Sequence, residues 1–138
     1  MQLGDLLVEA KLTESDFRSA EMEIVESYRD VHEVFECRSL TRVGNRYESY
    51  QLIRNVLAAH ANNCSFCVMA DTRRPDLIEA WFAVMRCVRI TSLRLHCKMI
   101  TWQELSEALI QKLGLFLEEK YGIRARGFPA AISPESLC

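Results

Sequence analysis

The chain is poor in what usually interrupts a fold or announces a site. Only five glycines and three prolines occur in 138 residues, which argues against disordered or collagen-like tracts and for a packed fold. No apolar run approaches the roughly 20 residues of a membrane helix, and no basic-then-apolar leader precedes a cleavage site. A Gly-rich phosphate loop, a nucleophile elbow and a His-Glu-x-x-His zinc helix are all missing. Internal repeats and low-complexity tracts are missing as well. Lysine is scarce, with four residues against thirteen arginines.

What is present fits one domain. Apolar residues make up 49% of the chain and charged ones 26%, enough to bury a core at this length. The expected domain spans 1–123, followed by a loosely held tail over 124–138 that carries Pro129 and Pro134. Six cysteines, at 37, 64, 67, 87, 97 and 138, lie among apolar residues without the spacing of a secreted framework. An intracellular, reduced protein is expected, and the cytoplasm is the expected compartment. Cys64-x-x-Cys67 invites a zinc reading with His60, His96 or Cys97. Residues three apart on a strand point to opposite faces, however, so the pair reads as small core hydrophobes.

Charge is unevenly spread. Residues 1–36 hold ten acidic and three basic side chains, whereas 37–138 hold nine acidic and fourteen basic ones. A basic half rich in arginine suits bidentate phosphate contact and is compatible with nucleic acid, although arginine preference can also reflect genome composition.

Hydrophobic patterning predicts α/β order. Residues 5–11 read as a short buried strand, and Ala20–Tyr28 as an acidic helix. A strand at Val34-Phe35 and a loop through Gly44 are possible. Asn45 with Glu48 resembles a capping box opening a helix over about 46–61, which Asn62-Asn63 stops. The unbroken apolar run Ser65–Ala70 fits a parallel strand covered by helices. Pro75 opens a helix to about Val88. Alternation over 92–99 predicts a half-exposed edge strand, with His96 outward and solvated. Thr101 and Glu104 make a second capping box, starting one helix from Trp102 to Tyr121 that Gly122 ends.

Glu9-Ala10-Lys11 is the motif that carries chemistry. On a strand, Glu9 and Lys11 leave one face, and a carboxylate beside an ammonium suits metal-assisted phosphodiester hydrolysis. By itself the triplet is weak, since nineteen acidic residues and four lysines supply about half an E/D-x-K by chance. Context adds to it. The runs VEAKLTESDF (8–17), RYESYQLIRNVLAA (46–59), CSFCVMADTRRPDL (64–77) and TWQEL (101–105) resemble one restriction-endonuclease-like branch of the PD-(D/E)XK nuclease superfamily, over roughly residues 6–123. The resemblance implies a mixed sheet flanked by helices. It also implies that Glu9 binds Mg²⁺, that Lys11 positions the nucleophile, and that Gln51, on the helix after that strand, reaches the site. Arg54, Arg73 and Arg74 are candidates for holding DNA. The alternatives are helix-surface polarity for Gln51 and Arg54, and pairing with Asp71 and Asp76 for Arg73 and Arg74. Asp71 ends a buried strand, where ligands of open sheets collect, but such a residue is commonly a turn or cap.

One departure from the family pattern matters. The family's metal-binding Asp lies on a preceding strand, and only eight residues precede Glu9 here. Asp5 is too close along the chain to serve. The first core strands are therefore expected to be missing, leaving the 5–11 strand as a bare sheet edge that favours a homodimer. Two functions follow: a metal-dependent nuclease of DNA, inactive in this form, or a non-catalytic remnant acting in association.

Overall fold

A computed structural model describes residues 1–125. The chain divides into two compact units, Met1–Thr101 and a second that begins at Trp102. The expected loose tail over 124–138 lies, apart from its first two residues, outside the described residues.

The first unit is built on a four-stranded mixed sheet. Strands β1 (Gln2–Leu3) and β2 (Leu6–Ala10) form an antiparallel hairpin around Gly4 and Asp5. Gly4 sits at φ 57, a left-handed conformation that glycine adopts without steric cost. The sheet order is β1, β2, then β6 (Ser65–Ala70) and β7 (Cys97–Thr101), the last three mutually parallel. Parallel neighbours need crossovers, and helices supply them. The helix α3 (Tyr50–Ala61) joins β2 to β6, and α4 (Pro75–Met85) with α5 (Thr91–Leu95) joins β6 to β7.

The apolar run 65–70 forms the expected parallel strand, although it is not buried on both faces, since Ser65, Cys67 and Met69 are only half-buried. Phe66, Val68 and Ala70 are buried, and the Phe66 ring meets Trp81 of α4 at 5.9 Å between centroids. Trp81 thus places α4 on the Phe66 face. Contacts from α3 to Glu9 and Lys11 place α3 on that same face, because Glu9 pairs in register with Val68.

A second sheet, absent from the sequence reading, joins β3 (Ala20–Glu21), β4 (Arg42–Val43) and β5 (Arg46–Tyr47) in the order β3-β5-β4. The short helices α1 (Met22–Glu26) and α2 (Val31–Val34) lie between β3 and β4 along the chain. Phe35 bridges Val88 in antiparallel fashion, tying segment 34–36 to 87–89.

Several expectations change. Asp5 sits in the hairpin turn rather than on the strand. The edge of β2 is not bare, since Gln2 and Leu3 pair with Leu7 and Leu6. The Met1 amine also donates to the Val8 carbonyl, and the Val8 amide to that of Met1. The helix expected from 46 begins at Tyr50, because residues 46–47 are claimed by the β4–β5 hairpin. Ala20 and Glu21 are likewise strand, so α1 is shorter than the expected acidic helix. Val34 ends a helix instead of forming a strand with Phe35. Residues 91–95 are helical, and the edge strand starts only at Cys97. Tertiary pairing outweighs the alternation here, leaving Leu93 buried and Leu95 exposed.

In the second unit the single expected helix is two, α6 (Trp102–Ala108) and α7 (Gln111–Tyr121), with Ile110 in extended backbone at the break. Gly122 ends α7 at φ 66, as expected.

Candidate functional site

The site is assembled at the carboxyl end of β2. Lys11 follows the strand's last residue, and its amide still donates to the Met69 carbonyl at 2.8 Å. Strand alternation therefore persists, and Glu9 and Lys11 project together beneath α3. Lys11 is 3% exposed, and its Nζ lies 3.4 Å from Glu9 Oε1.

The start of α3 is fixed against the segment after β2. Ser49, in left-handed backbone at φ 58, redirects the chain. The amides of Tyr50 and Gln51 then donate to the Arg18 and Phe17 carbonyls at 2.9 and 3.0 Å, satisfying two donors that a helix start leaves open. This docking brings Gln51 over Lys11, whose Nζ donates to Gln51 Oε1 at 2.6 Å. The Phe17 ring packs under the same ammonium, 5.3 Å from its centroid. One turn along, Asn55 donates from Nδ2 to Glu9 Oε2 at 3.0 Å. Residues i and i+4 share a helix face, so Gln51 and Asn55 together cover the pair. Asn55 and Phe17 went unnoticed in the sequence, although Asn55 was accessible from that spacing.

The remaining candidates stand elsewhere. Asp71, buried just past β6, is gripped by Arg73 through Nε at 3.0 Å and Nη2 at 2.5 Å. Arg74 binds Asp76 through Nε and Nη2 at 2.9 and 2.6 Å, and also reaches the carbonyls of Glu14 and Ser15. That guanidinium holds the Asp76 carboxyl below its usual range. Arg54 lies over the Tyr50 ring, 5.7 Å from its centroid. Of the six candidates, Glu9, Lys11 and Gln51 converge, while the three arginines serve pairs or rings of their own.

Mg²⁺ takes several oxygen ligands, usually with carboxylates among them. Both Glu9 oxygens already face protein nitrogens, and among the described residues no group of three His, Cys, Asp or Glu could hold a metal ion. Glu14 is exposed on the segment after the strand, where its carboxylate accepts from the Leu12 amide at 3.3 Å. Among the described residues, those around Glu9 do not by themselves fit a Mg²⁺ site. The Cys64/Cys67 pair is divided in environment, Cys64 buried before β6 and Cys67 half-buried within it, and the five described cysteines are free thiols.

Among the described residues no helix is long and apolar enough to cross a membrane. No curated protein and no solved structure matches the chain. The model of the family described as Restriction Endonuclease associating with ARP matches residues 1–122, nearly the whole length. This mixed α/β chain, with its E-x-K strand under a helix, belongs to that family.

Proposed function

We propose that this chain is a non-cleaving restriction-endonuclease-like domain that keeps the E-x-K pair as part of its core and acts in association with other components. The observation that carries this reading is the closed contact set of Glu9, Lys11, Gln51 and Asn55. A carboxylate and an ammonium satisfied by each other and by two amides are stabilised in place and poorly disposed to take on substrate. Association with a second copy is the simplest form of such a role. Light scattering of the purified chain is expected to report a homodimer at tens of micromolar.

A second reading, hydrolysis of DNA, is favoured by the way Gln51 meets Lys11. It needs a metal-binding carboxylate that the described residues do not supply. Incubating the purified chain and its Lys11→Ala variant with plasmid DNA and Mg²⁺ or Mn²⁺ separates the two readings. No cleavage by either protein is the expected result. Cleavage by the parent that Lys11→Ala abolishes would establish the second reading instead.

A further inference from the structure

Away from the E-x-K strand, the seam between segments 34–36 and 87–89 opens into a cleft of about 320 Å³. That volume is at the lower end of the range for small-ligand sites, roughly 300–1,000 Å³. Three guanidinium groups line it, Arg38 from the turn after α2, Arg42 from β4 and Arg89 from the seam itself. Arg29, Arg46, Arg73, Arg74 and Arg124 each have a carboxylate within 4 Å, and what distinguishes the cleft arginines from the other arginines without one is that three of them share one cleft. Arg38, Arg42 and Arg89 have no carboxylate partner among the described residues, although Glu26 and Glu36 line the same cleft. Glu26 accepts instead from the buried Tyr47 hydroxyl at 2.8 Å. Arg42 lies over the Tyr47 ring at 6.0 Å, and Arg89 donates to the His32 carbonyl at 3.1 Å, so two of the three are held in place without being neutralised.

We propose that this cleft binds a phosphate group, carried either by a free nucleotide or by a polynucleotide backbone. Guanidinium forks match the paired oxygens of phosphate, and fixing them beforehand lowers the ordering cost of binding. Two carboxylates, Glu26 and Glu36, also line the cleft, so the positive charge of its arginines exceeds theirs by one. Cys37 Sγ lies 3.5 Å from His32 Nδ1, and burial together with Glu26 and Glu36 pushes its thiol up, so it stays neutral at physiological pH. Binding involves no covalent step. The inference does not depend on whether Glu9 and Lys11 are catalytic, since it uses none of their neighbours.

The test measures binding of the full chain to ADP, to inorganic pyrophosphate and to a fluorescent 20-nucleotide DNA, each across a salt series. The double variant Arg38→Ala/Arg42→Ala should bind the recognised ligand at least tenfold more weakly. If that ligand is DNA, the slope of log affinity against log salt should fall by roughly one to two. Neither side chain donates to a backbone carbonyl or carboxylate in the described residues, so thermal unfolding of the variant should match the parent. Arg29→Ala/Arg124→Ala, two exposed arginines paired with Asp30 and Glu118, serves as the control and should bind as the parent does. Capture of ADP or pyrophosphate assigns the cleft to free phosphates, and capture of DNA alone assigns it to a backbone. No binding of any of the three at millimolar concentration, or binding that the double variant leaves unchanged, overturns the proposal. DNA cleavage by the parent would bear on the E-x-K reading and leave this one standing.

Discussion

Lys11 and the cleft arginines are cations of one chain under opposite constraints. Lys11 is buried at the end of β2, with Glu9, Gln51 and the Phe17 ring around it. Arg38, Arg42 and Arg89 stand exposed at the cleft, with no carboxylate paired to them among the described residues. Removing a buried cation strands its partners in low dielectric, whereas removing an exposed one costs almost nothing in stability. On the reading proposed above, the motif that resembles a catalytic centre serves as core, and the residues without a motif are the ones left to meet a ligand.

The largest expected effect separates these regions. Lys11→Ala should lower unfolding free energy in urea by about 2–4 kcal/mol, through a cavity and an uncompensated Glu9. Arg38→Ala/Arg42→Ala should change it by less than about 0.5 kcal/mol. Comparable values for the two variants would erase the distinction.

Alkaline pH should produce the next effect. Burial first, and then the hydrogen bond to Glu26, raise the Tyr47 hydroxyl to about 12 from an ordinary 10. A group with a raised folded value holds its proton more tightly when folded. Its contribution is therefore complete below pH 10 and is lost as pH climbs through about 12. The full loss is about 3 kcal/mol, and Tyr47→Phe should flatten the decline in urea midpoint between pH 10 and 12. Cys97, raised by burial to about 11, will leave part of that slope in place. An unaltered slope in the variant would remove Tyr47 from the account.

Arg73→Ala is expected to cost less than either, about 1 kcal/mol, since it strips a mostly exposed partner from the buried Asp71. Chemical denaturation reads it. Asp71→Asn should partly offset that cost in the double variant, because no full charge is then left uncompensated.

How much of this was legible differs by region for physical reasons. Strand β6 was plain, because Asn62-Asn63 and Asp71 bound an unbroken apolar run. Pro75 marked the start of α4. The shared face of Glu9 and Lys11 followed from strand period alone. The helix expected from 46 failed because two local signals competed. Asn45 with Glu48 suggests a cap, while Gly44-Asn45 suggests a hairpin turn, and pairing of Tyr47 with Ala20 and Arg42 decided for the hairpin. The role of Gln51 came from family resemblance, and Asn55 could have been added from its spacing. The cleft was illegible, since Arg38, Arg42 and Arg89 meet only through the Phe35–Val88 bridge and a second sheet that no local pattern announces.

The most direct test of the account is a double-mutant cycle between Glu9 and Lys11, using Glu9→Gln, Lys11→Met and the double variant in urea unfolding. If the pair belongs to the core, each single change destabilises, and the double variant recovers stability with a coupling of about 1–2 kcal/mol. Zero coupling, with single variants as stable as the parent, would contradict it and return the pair to the role of an uncommitted site.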